Sequence, residues 1–236
     1  MKTGNEEWIS TACSELDEML GGGIRRGDVT LIYGVAKTGK TTIALQCSVA
    51  ATKQQIKTIY LDCQNSFSTE RFSQIASSDI QAISSLIYVF KLHSFDEQTR
   101  LIENLDKYLS DKTELIIIDT ITSLYRLELQ TAARIFQANR ILNRQLAYLN
   151  HVAKARKAAV LITSQVHDIV KDEPVLIEPV AMRVLNYWAQ NILKITVGDS
   201  THTRRILLEK SLNSTVPKKR VECQIELEML GMGRDR

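Results

Sequence analysis

The stretch "GVAKTGKTT", Gly34–Thr42, lies between the apolar run "VTLIY" (Val29–Tyr33) and "IALQCSVAATK" (Ile43–Lys53), which carries no glycine or proline. It satisfies the pattern G-x-x-x-x-G-K-[ST] in the strand–loop–helix context that the pattern needs, which makes it a P-loop. Gly34 and Gly39 let the backbone curl so that its amides converge on phosphate oxygens. The following helix presents the positive end of its dipole to the same anion. The candidate cradle for ATP is therefore Gly34, Val35, Ala36, Lys37, Thr38, Gly39, Lys40, Thr41 and Thr42. Lys40 has the reach for the β- and γ-phosphates, where its charge also serves phosphoryl transfer. The Thr41 hydroxyl suits a magnesium ion (Mg2+) bridging those phosphates.

Such a site needs an acid for the metal. "LIIIDT" (Leu115–Thr120) is an aliphatic run ending in Asp119, expected on a strand next to the P-loop strand and able to hold magnesium through water. "LITSQV" (Leu161–Val166) places Ser164 and Gln165 after a mostly apolar run, and an amide there is suited to sensing a γ-phosphate.

These apolar runs alternate with helical patterns, the mark of repeated βαβ units and hence an α/β fold with a largely parallel central sheet. Strands are expected near Val29–Tyr33, Thr58–Asp62, Leu86–Phe90, Leu115–Asp119 and Ala159–Ser164. Helices are expected after Lys40, over Thr69–Ala76, over Asp96–Leu109 and over Ala133–Arg156. In the last, Ile135, Ala138, Leu142, Leu146, Leu149 and Ala153 recur at steps of three and four, predicting one buried stripe. After Trp188 the shorter alternating runs "ILKITV", "RRILLEK" and "VECQIELEM" suit an antiparallel extension of the sheet. No repeat or linker interrupts the pattern, so residues 1–236 read as one core domain.

Composition bounds the partners. With 44% hydrophobic residues in 236, the chain can bury one substantial core, and a net charge of +3 does not by itself point to nucleic acid. Cys13, Cys47, Cys63 and Cys223 form no C-x-x-C pair, which argues for reduced core thiols rather than zinc. No stretch approaches the roughly 18 apolar residues of a membrane span, and residues Lys2–Glu7 are polar, so a cytoplasmic protein is expected.

Taken in order, "STACSELDEMLGGGIRRGDVTLIYG", "YLDCQNSFSTERF", "IIIDTITSLYRLEL" and "LITSQV" resemble the ATPase core of the RecA/RadA recombinases over nearly the whole chain. Within that family, "QLAYLNHVAKARKAAVLITSQV" and "VLNYWAQNILKI" followed by "RRILLEKSLN" are most similar to archaeal RadB-like paralogues. The resemblance implies a RecA-like P-loop core that binds ATP and magnesium and assists DNA repair by homologous recombination. It assigns the metal to Thr41 and Asp119, γ-phosphate sensing to Gln165, and adenine stacking to Arg71 in "STERF", a role that a planar guanidinium suits. It also sets Gln64 where active members carry the glutamate that activates the attacking water. A glutamine orients water but takes up no proton, so a slow or ligand-switched ATPase is expected.

Two further departures separate the chain from filament-forming members. Only about Met1–Trp8 precede the core, so no docking arm is read there and the oligomeric state stays open. Of the family's two DNA-facing segments, Arg126–Thr131 is short, and "HDIVKDEPVLIEPVAM" sets Asp168, Asp172, Glu173 and Glu178 against Lys171. That balance repels phosphate. Basic residues lie instead in Lys218–Arg220, Arg204 with Arg205, and Lys154–Lys157, so any DNA binding is expected to be weak. The implied partner is a recombinase or another DNA-repair protein. A DNA-dependent ATPase or recombinase, and a KaiC-like signalling ATPase sharing "LDEMLGGGIRRGD", stand as alternatives.

Overall fold

The computed structural model describes residues 7–76, 83–166, 180–212, 221–228 and 231–233. A short pair, β1 (Trp8–Ile9) and β2 (Ile24–Arg25), flanks helix α1 (Ser14–Leu20) ahead of the main sheet. Then follow β3 (Val29–Gly34), α2 (Lys40–Lys53), β4 (Lys57–Asp62), α3 (Thr69–Ala76), β5 (Ile87–Lys91) and α4 (Phe95–Glu103). The central part continues with β6 (Thr113–Asp119), α5 (Ile121–Leu127), α6 (Ala132–Arg156) and β7 (Ala159–Gln165). Helix α7 (Val180–Trp188) precedes β8 (Asn191–Val197), β9 (Thr203–Ser211), β10 (Val221–Glu228) and β11 (Gly231–Gly233).

Among the described residues one sheet of nine strands runs β11-β10-β9-β8-β3-β7-β6-β4-β5. From β8 to β5 the neighbours are parallel, and β9, β10 and β11 extend the sheet antiparallel. The α/β fold with its antiparallel C-terminal extension is thus as expected. Two details differ. "ILKITV" belongs to both parts of the sheet, because β8 runs parallel to β3 on one side and antiparallel to β9 on the other. The Asp119 strand is not next to the P-loop strand: β7 intervenes, hydrogen-bonded to both.

Strand periodicity explains the near-continuous apolar runs. Successive side chains point to opposite faces, and both faces of a parallel sheet are covered. On β6, Leu115 and Ile117 pack in the cluster beneath α1, α2 and α3, while Ile116 and Ile118 pack in the cluster beneath α4 to α7. The same alternation sends Asp119 to the α2 side, where the P-loop is.

The helices meet most expectations in place but not in extent. The run expected over Asp96–Leu109 is α-helical only to Glu103 and then tightens to a 3-10 turn at Leu105–Lys107. On α6, Ala138, Leu142, Leu146, Leu149 and Ala153 are buried, but Ile135 is not. The first turns of α6 are uncovered: residues 132–137 are exposed, Phe136 at 73%, and Leu127 at the end of α5 is 64% exposed. The amphipathic stripe therefore outruns the surface available to cover it.

Candidate functional site

Register brings the candidate residues to one edge. Gly34 pairs with Gln165 across β3–β7, and Asp62 pairs with Asp119 across β4–β6, so all four lie at the carboxyl ends of parallel strands. In open α/β sheets, that edge is where ligands bind.

The P-loop leaves β3 at Gly34, where any Cβ would stand 2.2 Å from the Ile195 carbonyl oxygen of β8. Only glycine permits that approach. Val35, Ala36 and Lys37 form the outer turn, with Lys37 in the left-handed region at φ 63°, and Gly39 at φ 100° starts α2. The Thr38 hydroxyl donates to the Val35 carbonyl at 2.9 Å. Lys40 is folded back into the loop: Nζ donates to the carbonyls of Gly34 at 2.9 Å and Val35 at 2.6 Å. Burial lowers its pKa to about 8, against the opposing pull of Asp119. Thr41 and Thr42 follow in the first turn of α2, both half-buried.

Asp119 is fully buried, and hydroxyls hold both its oxygens. Thr163 of β7 donates to Oδ1 at 2.5 Å, and Tyr60 of β4 donates to Oδ2 at 2.7 Å. Desolvation raises the Tyr60 phenol well above its usual range, with the Asp119 charge adding to the shift, so Tyr60 remains a donor. A carboxylate so engaged keeps a fixed orientation and suits a metal reached through water rather than direct ligation. Neither Tyr60 nor Thr163 stood out in the sequence. The signal was there, since both are polar groups within apolar strands on the α2-facing parity.

Gln64 lies just beyond β4 in a turn organised by Asp62. Its Oδ1 accepts from the backbone amides of Gln64 at 3.3 Å and Ser66 at 2.9 Å, and Oδ2 accepts from that of Phe67 at 2.9 Å. This Asx-type cap projects Gln64 from the strand end. Its Nε2 donates to Gln165 Oε1 at 3.4 Å, joining two residues singled out independently. Ser164, on the opposite parity, instead pairs with the Thr122 hydroxyl of α5 at 3.0 Å. Arg71 is half-buried on α3 and donates to Gln74 Oε1 at 3.1 Å, one turn along its own helix.

The expected basic pair does not form a free cationic patch. Arg204 is buried and donates to loop carbonyls, while Arg205 pairs with Asp199 at 3.2 Å and Glu222 at 2.8 Å. Strand parity separates them: Arg204 shares the inner face of β9 with Ile206 and Leu208, and Arg205 faces out. In the Lys154–Lys157 run, Arg156 reaches Asp106 at 3.2 Å. Lys218–Arg220 and all of the acidic segment before Val180 lie outside the described residues. The Arg126–Thr131 segment ends α5 at Leu127, turns over residues 128–130, and supplies Thr131 as the cap of α6.

A P-loop at the carboxyl edge of a parallel sheet, with a buried acid two strands away, defines the RecA-like α/β class. Residues 6–210 match the Rad51 family model, and the chain belongs to that family. It is 38% identical to the DNA repair and recombination protein RadB of Methanosphaera stadtmanae over 199 residues, 84% of each chain. It is 34% identical to the RadB of Methanococcoides burtonii over 195 residues, 83% of this chain and 85% of that one. A crystal structure of the RadB recombinase superposes with a TM-score of 0.81 at 29% identity, covering 97% of this chain and 100% of that one.

Proposed function

We propose that this chain, as a single RecA-like core, is a cytoplasmic accessory protein of DNA repair and homologous recombination whose signal is nucleotide occupancy. The observation that carries the reading is Gln64, an amide where hydrolysis calls for a base, held against the amide of Gln165. Neither side chain accepts a proton at neutral pH, so a water beside them would stay weakly nucleophilic and ATP would persist. The relatives named DNA repair and recombination protein RadB support the recombination setting.

The residues fit ATP with magnesium. The loop and the start of α2 supply amides and Lys40 for phosphate, Thr41 supplies a hydroxyl for the metal, and Asp119 supplies the fixed carboxylate behind it. Bound magnesium would neutralise phosphate charge. Lys40 would leave the Gly34 and Val35 carbonyls for the phosphates, and Arg71 would offer its guanidinium face to adenine. With ATP bound, Gln165 would exchange its bond to Gln64 for the γ-phosphate and pass occupancy to the segment after Val166, and so to a recombinase or other repair protein.

Phosphate-release assays with and without single-stranded DNA, alongside calorimetric ATP titration, test this. Tight ATP binding, lost in Lys40→Ala, with slow turnover is expected. Rapid DNA-stimulated hydrolysis would overturn the switch reading in favour of an active ATPase.

A further inference from the structure

We infer that Arg204 is a positioning residue for the nucleotide site, clasping the P-loop to the β8–β9 hairpin. The inference rests on the ATP-binding reading and extends it to a strand outside the parallel core. Arg204 Nε donates to the Thr38 carbonyl at 3.1 Å, and one terminal nitrogen donates to the Lys37 carbonyl at 3.4 Å. The other terminal nitrogen donates to Thr201 O at 2.9 Å and Thr203 O at 2.7 Å. One planar group thus bridges the loop and the hairpin, a span that suits a guanidinium fork and not a point charge.

Peptide planarity gives the clasp its consequence. In a trans peptide the C=O and the next N–H point in opposite directions. Holding the Lys37 and Thr38 carbonyls on Arg204 therefore turns the amides of Thr38 and Gly39 the other way, toward the hollow that would receive phosphate. Lys37 needs this restraint, because a non-glycine residue at φ 63° is disfavoured on its own. The loop's two halves have different custodians: Lys40 satisfies the carbonyls of Gly34 and Val35, and Arg204 those of Lys37 and Thr38.

Arg204 is 8% exposed, and among the described residues no carboxylate pairs with it. A structural arginine this buried ordinarily has an acid beside it. Here the charge is surrounded by carbonyl dipoles and stands behind an anion site, so a polyphosphate in the loop would complete its surroundings.

The test is calorimetric ATP titration of the wild type, Arg204→Lys and Arg204→Ala, with melting curves for each. Both variants should lose about tenfold or more in ATP affinity, as expected for two charge-assisted bonds that orient the loop. In Arg204→Ala, millimolar methylguanidinium should recover part of the loss and methylammonium none, a rescue that general destabilisation would not give. If Arg204→Ala fails to fold, the isocharged lysine variant carries the test. Affinity for ATP in Arg204→Lys within twofold of wild type overturns the clasp, because charge alone would then suffice. Absence of rescue in a folded Arg204→Ala also overturns it. A wild type that binds no ATP defeats the nucleotide reading itself and the clasp with it.

Discussion

Gln64 carries the sharpest consequence of any single residue. Gln64→Glu places a proton acceptor at the end of the Asp62-capped turn without changing its shape. General-base assistance is worth about 100- to 10,000-fold, and a site that has drifted from the acid should return the low end or less, roughly 10- to 100-fold in steady-state phosphate release. ATP affinity should stay nearly flat, since the new charge meets the γ-phosphate and repels it slightly. A variant no faster than wild type, assayed with DNA and recombinase present, would mean that this amide is not what slows turnover. Residues differ in how openly they announced themselves. The strand-end positions of Asp119 and Gln165 were legible because each is a polar residue after an apolar run. Arg204 was not, because beside Arg205 it looks like half of a solvated basic pair until its parity with Ile206 and Leu208 is followed.

At the level of elements, α6 separates what periodicity reveals from what it cannot. The stripe from Ala138 to Ala153 was legible, and its burial against the sheet is what makes the helix part of the core. Ile135 belongs to the same stripe by spacing, but where the sheet ends is a tertiary fact that spacing does not encode. Leu142→Ala should therefore cost about 2–5 kcal/mol in denaturant unfolding, as a buried large-to-small change does. Phe136→Ala should stay within about 0.5 kcal/mol. Equal losses from the two would contradict the exposure of the first turns. A second expectation concerns the thiols. Burial raises Cys13 to about 11, with the nearby Glu15 adding to the shift, and pushes Cys47 and Cys63 higher still. The thiolate is the reactive form, so raising a thiol's pKa above the working pH removes its nucleophile. At pH 8 a disulfide reagent should label Cys223, which is half-buried, quickly in native protein, and all four cysteines once denaturant is added. Fast native labelling of three or four would show that these strands and helices do not hold their thiols as described.

For the whole molecule, charge distribution decides the relation to DNA. Arg204 is committed to the loop, and Arg205 is neutralised by Asp199 and Glu222. Any DNA affinity should therefore be weak and fall steeply with salt, and it should drop when Lys218, Lys219 and Arg220 are changed together to alanine. Arg205→Ala should leave it unchanged. Fluorescence anisotropy over a salt series reads both, and salt-independent binding would place DNA recognition elsewhere. The fold class was legible at this scale because alternating apolar runs and helices leave few topologies. The strand order was less so: that β7 separates β6 from β3 is a packing outcome not encoded in either strand's own composition.

That strand order also bears on how the chain is made. The P-loop strand β3 is flanked by β7 and β8, the nearer of which begins about 130 residues later in the sequence. During synthesis at roughly 5–20 residues per second, β3 leaves the ribosome many seconds before either neighbour exists. Its two apolar faces and both rows of backbone hydrogen-bonding groups must be shielded in that interval. A nascent chain that ends before Ala159 holds every residue of the Gly34–Thr42 loop and neither of the strands that flank the one it leaves.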